Sequence, residues 1–323
     1  LNYLPKQTNC WQFFLPREKL LNHEQKTKFS QNRQIEGSQM KQLPKSSPKS
    51  KGNNPITRSP DHPITRSFER LAFPMRPGLV VYVTCGDPDL VTTRQIVLAA
   101  IRAGADVIEM GVPFSDPVAD GPVIQRASER ALAHRTSLQD VLGLAREIRQ
   151  ESEAGLVIFS YLNPILRMGM EPFCAAAAAA GVDGVLLIDM TVEEAGEYLR
   201  CMAAHRLAPV FLAAPTSTDQ RLRAIAEASQ GFVYAVSRTG VTGAQQELAA
   251  GVENLVKRLR KYTRLPIAVG FGVSNAQQFA EIGGFADAAV VGSAIVHTIE
   301  QNPGREAEAV RELIETMKKR GVA

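Results

Sequence analysis

The chain has 323 residues, 45% of them apolar and 22% charged, enough for one large core, and its formal net charge is +4. That charge is unevenly placed: residues 1–66 hold 12 of the 37 Lys and Arg and 4 of the 33 Asp and Glu, which leaves 25 against 29 for residues 67–323. A mildly acidic folded portion argues against a nucleic-acid surface, and the lack of any run of eighteen apolar residues argues against a membrane span.

In chain order, residues 1–66 come first, rich in Lys, Gln, Asn, Ser and Pro and without a sustained apolar period. Such a composition buries too little surface to offset the entropy of ordering it. Leu1 to Leu21 mixes charges with short apolar patches and lacks the continuous apolar centre of a secretory signal. Pro55-Ile56-Thr57-Arg58-Ser59 recurs at once as Pro63-Ile64-Thr65-Arg66-Ser67, a pattern more typical of repetitive DNA than of packing. With the opening Leu1, the repeat leaves three readings of residues 1–66: an over-extended gene reading, a genuine disordered tail, or a targeting segment. The expectation is a disordered or spurious N-terminal extension ahead of one catalytic domain, residues 67–323. Cys10, Cys85, Cys174 and Cys201 are scattered, with neither a C-x-x-C pair nor zinc spacing, as expected of reduced thiols in a cytoplasmic protein.

From Leu79 short apolar runs alternate with longer amphipathic stretches. The predicted strands are Leu79–Thr84, Asp106–Met110, Leu156–Ser160, Gly184–Ile188, Pro209–Leu212, Phe232–Val236, Ile267–Gly270 and Ala288–Val291. Predicted helices between them include Thr93–Ala103, Ser137–Gln150, Glu193–His205, Asp219–Ala228 and Glu247–Tyr262. Near-continuous apolar strands separated by helices read as parallel β-structure buried on both faces. Eight units in roughly 250 residues fit an α/β fold of the (β/α)8 TIM-barrel type. No GxGxxG follows the first strand, which weakens a dinucleotide-binding alternative. Barrel enzymes carry their chemistry at the C-terminal ends of strands, so polar residues just after a strand are the candidates.

The second predicted strand contains Glu109, a carboxyl inside the apolar run Val107-Ile108-Glu109-Met110. Burying it unpaired is costly, and its pKa should rise until it is a usable acid near neutral pH. The competing reading is a glutamate satisfied by a neighbouring arginine. Asp120 follows on a loop stiffened by Pro113, Pro117 and Pro122; alone, an Asp before Gly is an ordinary turn residue. After the sixth strand, Ser237-Arg238-Thr239-Gly240-Val241-Thr242-Gly243-Ala244 has the small, glycine-containing composition of a lid or of any mobile loop. The seventh strand ends in Gly270-Phe271-Gly272, and Gly292-Ser293 opens a helix after the eighth. Glycines at those two strand ends and backbone N–H groups at a helix start point to a phosphate site.

The segments Thr84-Cys85-Gly86-Asp87-Pro88, Glu109 through Pro122 and Ser237 through Gly243, completed by Gly270-Phe271-Gly272 and Gly292-Ser293, occur in the order found in tryptophan synthase α chains. From about Ser67 to the C-terminus the chain resembles that family, and the fourteen residues from Glu109 are the most specific part. The resemblance implies a lyase of tryptophan biosynthesis that splits indole-3-glycerol phosphate by a retro-aldol step. It assigns Glu109 as the catalytic acid and base, Asp120 as partner of the indole N–H, and Gly243, Gly272, Gly292 and Ser293 as phosphate binders. Tyr82, Tyr161, Leu186, Tyr234 and Phe271 would wall the pocket, with Arg238 and Thr242 on the lid. It further implies no metal and no cofactor in this chain, and a β-chain partner carrying pyridoxal phosphate, docked near Pro113 and Asp116 in an α2β2 heterotetramer. Tyr82, Cys85 and the Met190-Thr191 pair depart from the common pattern. Lysines outside residues 1–66 lie at 257, 261, 318 and 319, away from strand ends, which argues against a Schiff-base aldolase or an indole-glycerol-phosphate synthase. A silent regulatory subunit is the alternative outside catalysis, and the presence of both carboxyls counts against it. Deleting residues 1–66 is expected to leave the thermal midpoint and indole release at full-length values. A fall of more than a few degrees would show that the segment packs on the barrel.

Overall fold

Every sheet pairing in the computed structural model of the protein, which describes residues 77–236, 245–270 and 272–319, is parallel. The 1–66 extension lies outside the described residues. The strands are β1 (Gly78–Thr84), β2 (Val107–Gly111), β3 (Gly155–Ser160), β4 (Gly184–Leu187), β5 (Ala208–Val210), β6 (Leu212–Ala213), β7 (Val233–Val236), β8 (Ile267–Gly270) and β9 (Ala288–Val291). They form one sheet in the order β5-β4-β3-β2-β1-β9-β8-β7-β6. The two ends of that order, β5 and β6, are pieces of one segment interrupted only at Phe211, so the sheet curls round into a nearly closed barrel. This is the expected eight-stranded plan with its fifth strand in two pieces. The division has a simple cause: Val210 is in register with Leu186 on one side, whereas Leu212 is in register with Tyr234 on the other.

The strands are apolar along most of their length because both faces are covered. Val80, Val107, Val157, Leu186, Val210, Phe232, Ala268 and Val290 fill the barrel interior as one buried cluster. The alternate residues, among them Leu79, Val81, Ile108, Met110, Ile158 and Val291, belong to a second cluster shared with the helices. Period two along each strand thus sorts two cores rather than core from solvent.

The helices are α1 (Leu90–Arg102), α2 (Pro122–Ala133), α3 (Leu138–Arg149), α4 (Leu162–Met168), α5 (Met170–Ala179), α6 (Gly196–Ala204), α7 (Asp219–Ala228), α8 (Gln245–Leu259), α9 (Ala276–Gly283), α10 (Ser293–Gln301) and α11 (Glu306–Lys319). Local chemistry sets several starts. Asp89 accepts a hydrogen bond from Thr92 N at 2.8 Å to cap α1, and Ser137 with Asp140 forms a capping box on α3. Pro122 begins α2, where its missing N–H is no loss. The single helix predicted over Glu193–His205 is divided into a short 3₁₀ turn, Val192–Glu194, and α6. Gly196, a weak helix former, marks the junction.

One ion-pair network fastens the loops above the barrel. The buried Asp87, in the turn after β1, accepts two hydrogen bonds from Arg130 of α2, at 2.7 and 2.8 Å. Arg130 also reaches Glu300 of α10 at 2.8 Å, and Arg126 holds the same carboxylate at 2.8 and 2.7 Å. The network ties α2, which follows the Asp120 loop, to α10, which starts at Ser293. Arg130→Met would leave Asp87 buried without its guanidinium, and we expect a loss of about 2 kcal/mol. Urea unfolding should show a lower midpoint with an unchanged m-value.

Candidate active site

Glu109 lies on β2 in register with Tyr82 of β1 and Val157 of β3. Alternation from Val107, which faces the barrel interior, sends the Glu109 side chain inward as well. It is 1% exposed, and its Oε1 has no hydrogen-bond partner among the described residues. Burial alone pushes its pKa up to about 8. No arginine or lysine forms an ion pair with it among the described residues, so the ion-paired alternative does not describe this carboxyl.

Two tyrosines flank it. Tyr82 packs edge-on against Phe159 with ring centroids 5.1 Å apart, and its hydroxyl lies 3.3 Å from Thr84 Oγ1. Tyr234 projects its hydroxyl towards β8, where a Cβ on Gly270 would come within 2.6 Å of it. Gly111 makes the corresponding space for Tyr82, whose Cζ would lie 2.6 Å from an added Cβ. Burial raises both phenol pKa values well above the ordinary one, reinforced by Asp120 at Tyr82 and by Glu109 at Tyr234. The phenols are therefore neutral neighbours that bring no positive charge to Glu109.

Asp120 is half-buried on the loop between β2 and α2. Tyr161, at the end of β3, donates its hydroxyl to Asp120 Oδ2 at 3.1 Å and accepts the Ala119 N–H at 2.9 Å. Burial raises the Asp120 pKa to about 6, against the opposing effect of the Tyr161 hydrogen bond. The two carboxyls thus differ near neutral pH: Glu109 is mostly protonated and Asp120 mostly ionised. Phe114 stacks on Tyr161 with centroids 5.0 Å apart and steadies the loop.

After β9, beside Tyr82 of the neighbouring β1, Gly292 caps α10 without a side-chain hydrogen bond, and the first turn, beginning at the exposed Ser293, holds no acidic residue. Its backbone N–H groups face no competing carboxylate from that turn. Gly272 adopts φ +63°, in the left-handed region that favours glycine. Leu186 is buried in the barrel interior, in register with Phe159. Arg238, Thr242, Gly243 and Phe271 lie outside the described residues. Asp116 is exposed, whereas Pro113 is buried, so the stiff loop is not the continuous exposed surface that its prolines lead one to expect. Pro113 follows directly on Val112, whose N–H is held by the Phe159 carbonyl at 2.9 Å, so it belongs to the barrel rim. Phe159, Thr84 and Phe114 were not among the sequence candidates. Only alternation along β3 would have pointed to Phe159, and the other two are revealed by contacts distant in sequence.

A parallel barrel with one carboxyl buried on β2 and a second on the loop that follows has the architecture of an enzyme of the barrel class. Residues 68–322 match the family model described as "Tryptophan synthase alpha chain", and the chain belongs to the tryptophan synthase alpha chain family. The alpha chain of Solibacter usitatus is 54% identical over 239 residues, covering 74% of this chain and 90% of the relative. That of Geotalea daltonii is 45% identical over 260 residues, 80% and 98% of the two chains. Among solved structures, a Mycobacterium tuberculosis tryptophan synthase in an aminoacrylate-bound form superposes with a TM-score of 0.73 at 34% identity, over 81% of this chain and 99% of that one. The alpha subunit from Legionella pneumophila gives 0.74 at 33% identity, over 79% and 97%.

Both carboxyls bind a proton more tightly when folded than when unfolded, so stability falls as pH rises from the ordinary pKa to the raised one. For Glu109 that window runs from about 4.5 to about 8, and for Asp120 from about 3.8 to about 6. Glu109→Gln should flatten the decline between about pH 6 and about pH 8, where Asp120 contributes little. Over that interval the variant should keep on the order of 2 kcal/mol of stability that the wild type loses. Urea unfolding across the pH range tests this, and parallel curves for the two proteins would mean that Glu109 titrates normally.

Proposed function

We propose that the barrel mouth performs its family's reaction with Glu109 as the proton carrier and Asp120 as the fixed anion. The chain is a carbon–carbon lyase of tryptophan biosynthesis that cleaves indole-3-glycerol phosphate to indole and glyceraldehyde 3-phosphate. The observation supporting these roles most directly is the Glu109 carboxyl itself, buried inside the barrel with one oxygen unpartnered among the described residues.

The indole ring is a poor leaving group until its C3 carbon is protonated. Glu109, as a carboxylic acid, delivers that proton. Positive charge then spreads to the ring nitrogen, whose N–H donates to the Asp120 carboxylate. Such preorganised electrostatic stabilisation is worth roughly 3 kcal/mol. The Glu109 carboxylate next takes the proton of the glycerol hydroxyl adjacent to the ring. The carbon–carbon bond breaks, its electron pair returns to the ring, and the hydroxyl carbon becomes the aldehyde. Glu109 ends protonated, ready for another turnover, and no external oxidant or reductant is consumed. Tyr161 orients Asp120 through its hydroxyl, while Tyr82, Leu186, Tyr234 and Phe271 wall the indole. The substrate phosphate is held by backbone N–H groups at Gly243, Gly272, Gly292 and Ser293, with Arg238 and Thr242 on the closing loop.

This reading includes a partner: a β chain carrying pyridoxal phosphate, joined in an α2β2 assembly. The β2–α2 loop supports it, since Asp116 and Val118 are exposed beside a shallow depression also lined by Phe114, Pro117 and Gln125. Residues 1–66 contribute nothing to catalysis. Mixing with such a β chain should give a faster-sedimenting complex and faster indole release. Indifference to every β chain tried would mark a free-standing lyase.

Glu109→Gln is expected to slow indole release by about 10²–10⁴-fold, and Asp120→Asn to slow it strongly as well. Affinity for glyceraldehyde 3-phosphate should stay near wild type in both, because neither group binds the phosphate. Cleavage at the wild-type rate by Glu109→Gln would place the proton carrier elsewhere.

A further inference from the structure

Away from the barrel mouth, three side chains of different chemistry converge between α5 and α6. Glu171 lies in the first turn of α5, Cys201 in α6, and His205 caps the C-terminus of α6. Cys201 Sγ lies 3.1 Å from Glu171 Oε2, and His205 Nε2 lies 2.6 Å from Glu171 Oε1. One oxygen, one sulfur and one nitrogen ligand atom thus sit within 4.8 Å of one another. The spacing Cys201-x-x-x-His205 places both α6 groups on one face, one turn apart.

We propose that Glu171, Cys201 and His205 bind a divalent zinc ion that clips α5 to α6.

The donor set is the argument for zinc. A thiolate with an imidazole and a carboxylate suits zinc, whereas the oxygen-seeking magnesium and calcium ions would not choose a sulfur. Zinc–ligand bonds of roughly 2.0–2.3 Å in tetrahedral geometry separate ligand atoms by roughly 3.3–3.5 Å. The 2.6 and 3.1 Å separations, which go to the two oxygens of Glu171, would open by less than about 1 Å, and the widest of the three, within 4.8 Å, would close by at most about 1.5 Å. The Glu171 side chain is 70% exposed and free to adjust. That exposure also gives the ion a route to the buried sulfur. The C-terminal end of α6 favours a cation. As it stands the trio is a weak device: an exposed His–Glu contact adds little stability, and one carboxylate serves both the thiol and the ring.

Binding would release the Cys201 thiol proton, which burial, the neighbouring Cys174 and Glu171 otherwise hold in place. Sulfur–metal, nitrogen–metal and oxygen–metal bonds form, solvent fills the fourth position, and no redox change occurs.

The full chain, stripped with a chelator, is titrated with cobalt(II) as a spectroscopic probe for zinc. One equivalent should give a sulfur-to-cobalt charge-transfer band and the visible bands of tetrahedral cobalt, which zinc then abolishes. Both should vanish in Cys201→Ser and persist in Cys174→Ser. In His205→Gln, which changes one partly exposed side chain at the helix end, affinity should fall at least tenfold. Zinc at a hundredfold excess over its Kd should raise the wild-type Tm by about 5 °C or more, reversibly on chelation. Absence of the sulfur band at one equivalent, or an unchanged band in Cys201→Ser or His205→Gln, would overturn the assignment.

Discussion

A carboxyl inside a parallel barrel is an expensive thing to bury, and Glu109 is buried with one oxygen unpartnered among the described residues. Among the described residues no ion pair offsets that cost, and burial pushes the pKa up, favouring the protonated form. Its flanking groups, Tyr82 and Tyr234, are phenols held neutral by their own burial and by the carboxyls. An arginine in either place would stabilise the carboxylate and remove the acid. Even the glycines follow from this arrangement, because Gly111 and Gly270 leave the space that the two phenol rings occupy.

Asp120 solves the opposite problem. It is only half-buried and accepts a hydrogen bond from Tyr161, which opposes the upward pull of burial on its pKa. Strand and loop are thus put to different uses: the strand supplies a desolvated acid, the loop a partly solvated anion. Environment, not residue type, separates two carboxyls of nearly equal intrinsic acidity.

The loops need fastening for this to work, and the barrel interior cannot provide it. The Asp87–Arg130–Glu300–Arg126 network spans the β1 turn, α2 and α10. It joins the helix following the Asp120 loop to the helix beginning at Ser293, so those two segments share one framework. The cluster of Glu171, Cys201 and His205 works on different helices. The fold therefore carries polar anchorage on its outer ring as well as over the site.

Much of this was legible in the amino-acid order. Parallel strands covered on both faces must be apolar throughout, and eight such runs with helices between them specify a barrel before any contact is known. Glu109 stood out because a charge interrupts one of those runs, and the Glu109–Pro122 stretch carried the family likeness. The split of the fifth strand at Phe211 could not be read, because it depends on which neighbour each half pairs with. Nor could the contacts of Phe159 with Tyr82, of Tyr161 with Asp120 or of Arg130 with Asp87, which join residues 41 to 77 positions apart. The meeting of Glu171 with Cys201 and His205 is hidden for the same reason: periodicity reports which face of an element is buried, not which element lies against it. Local pattern determined where the carboxyl sits along the chain. Only the closed barrel removed water from around it, and with water gone the glutamate became an acid.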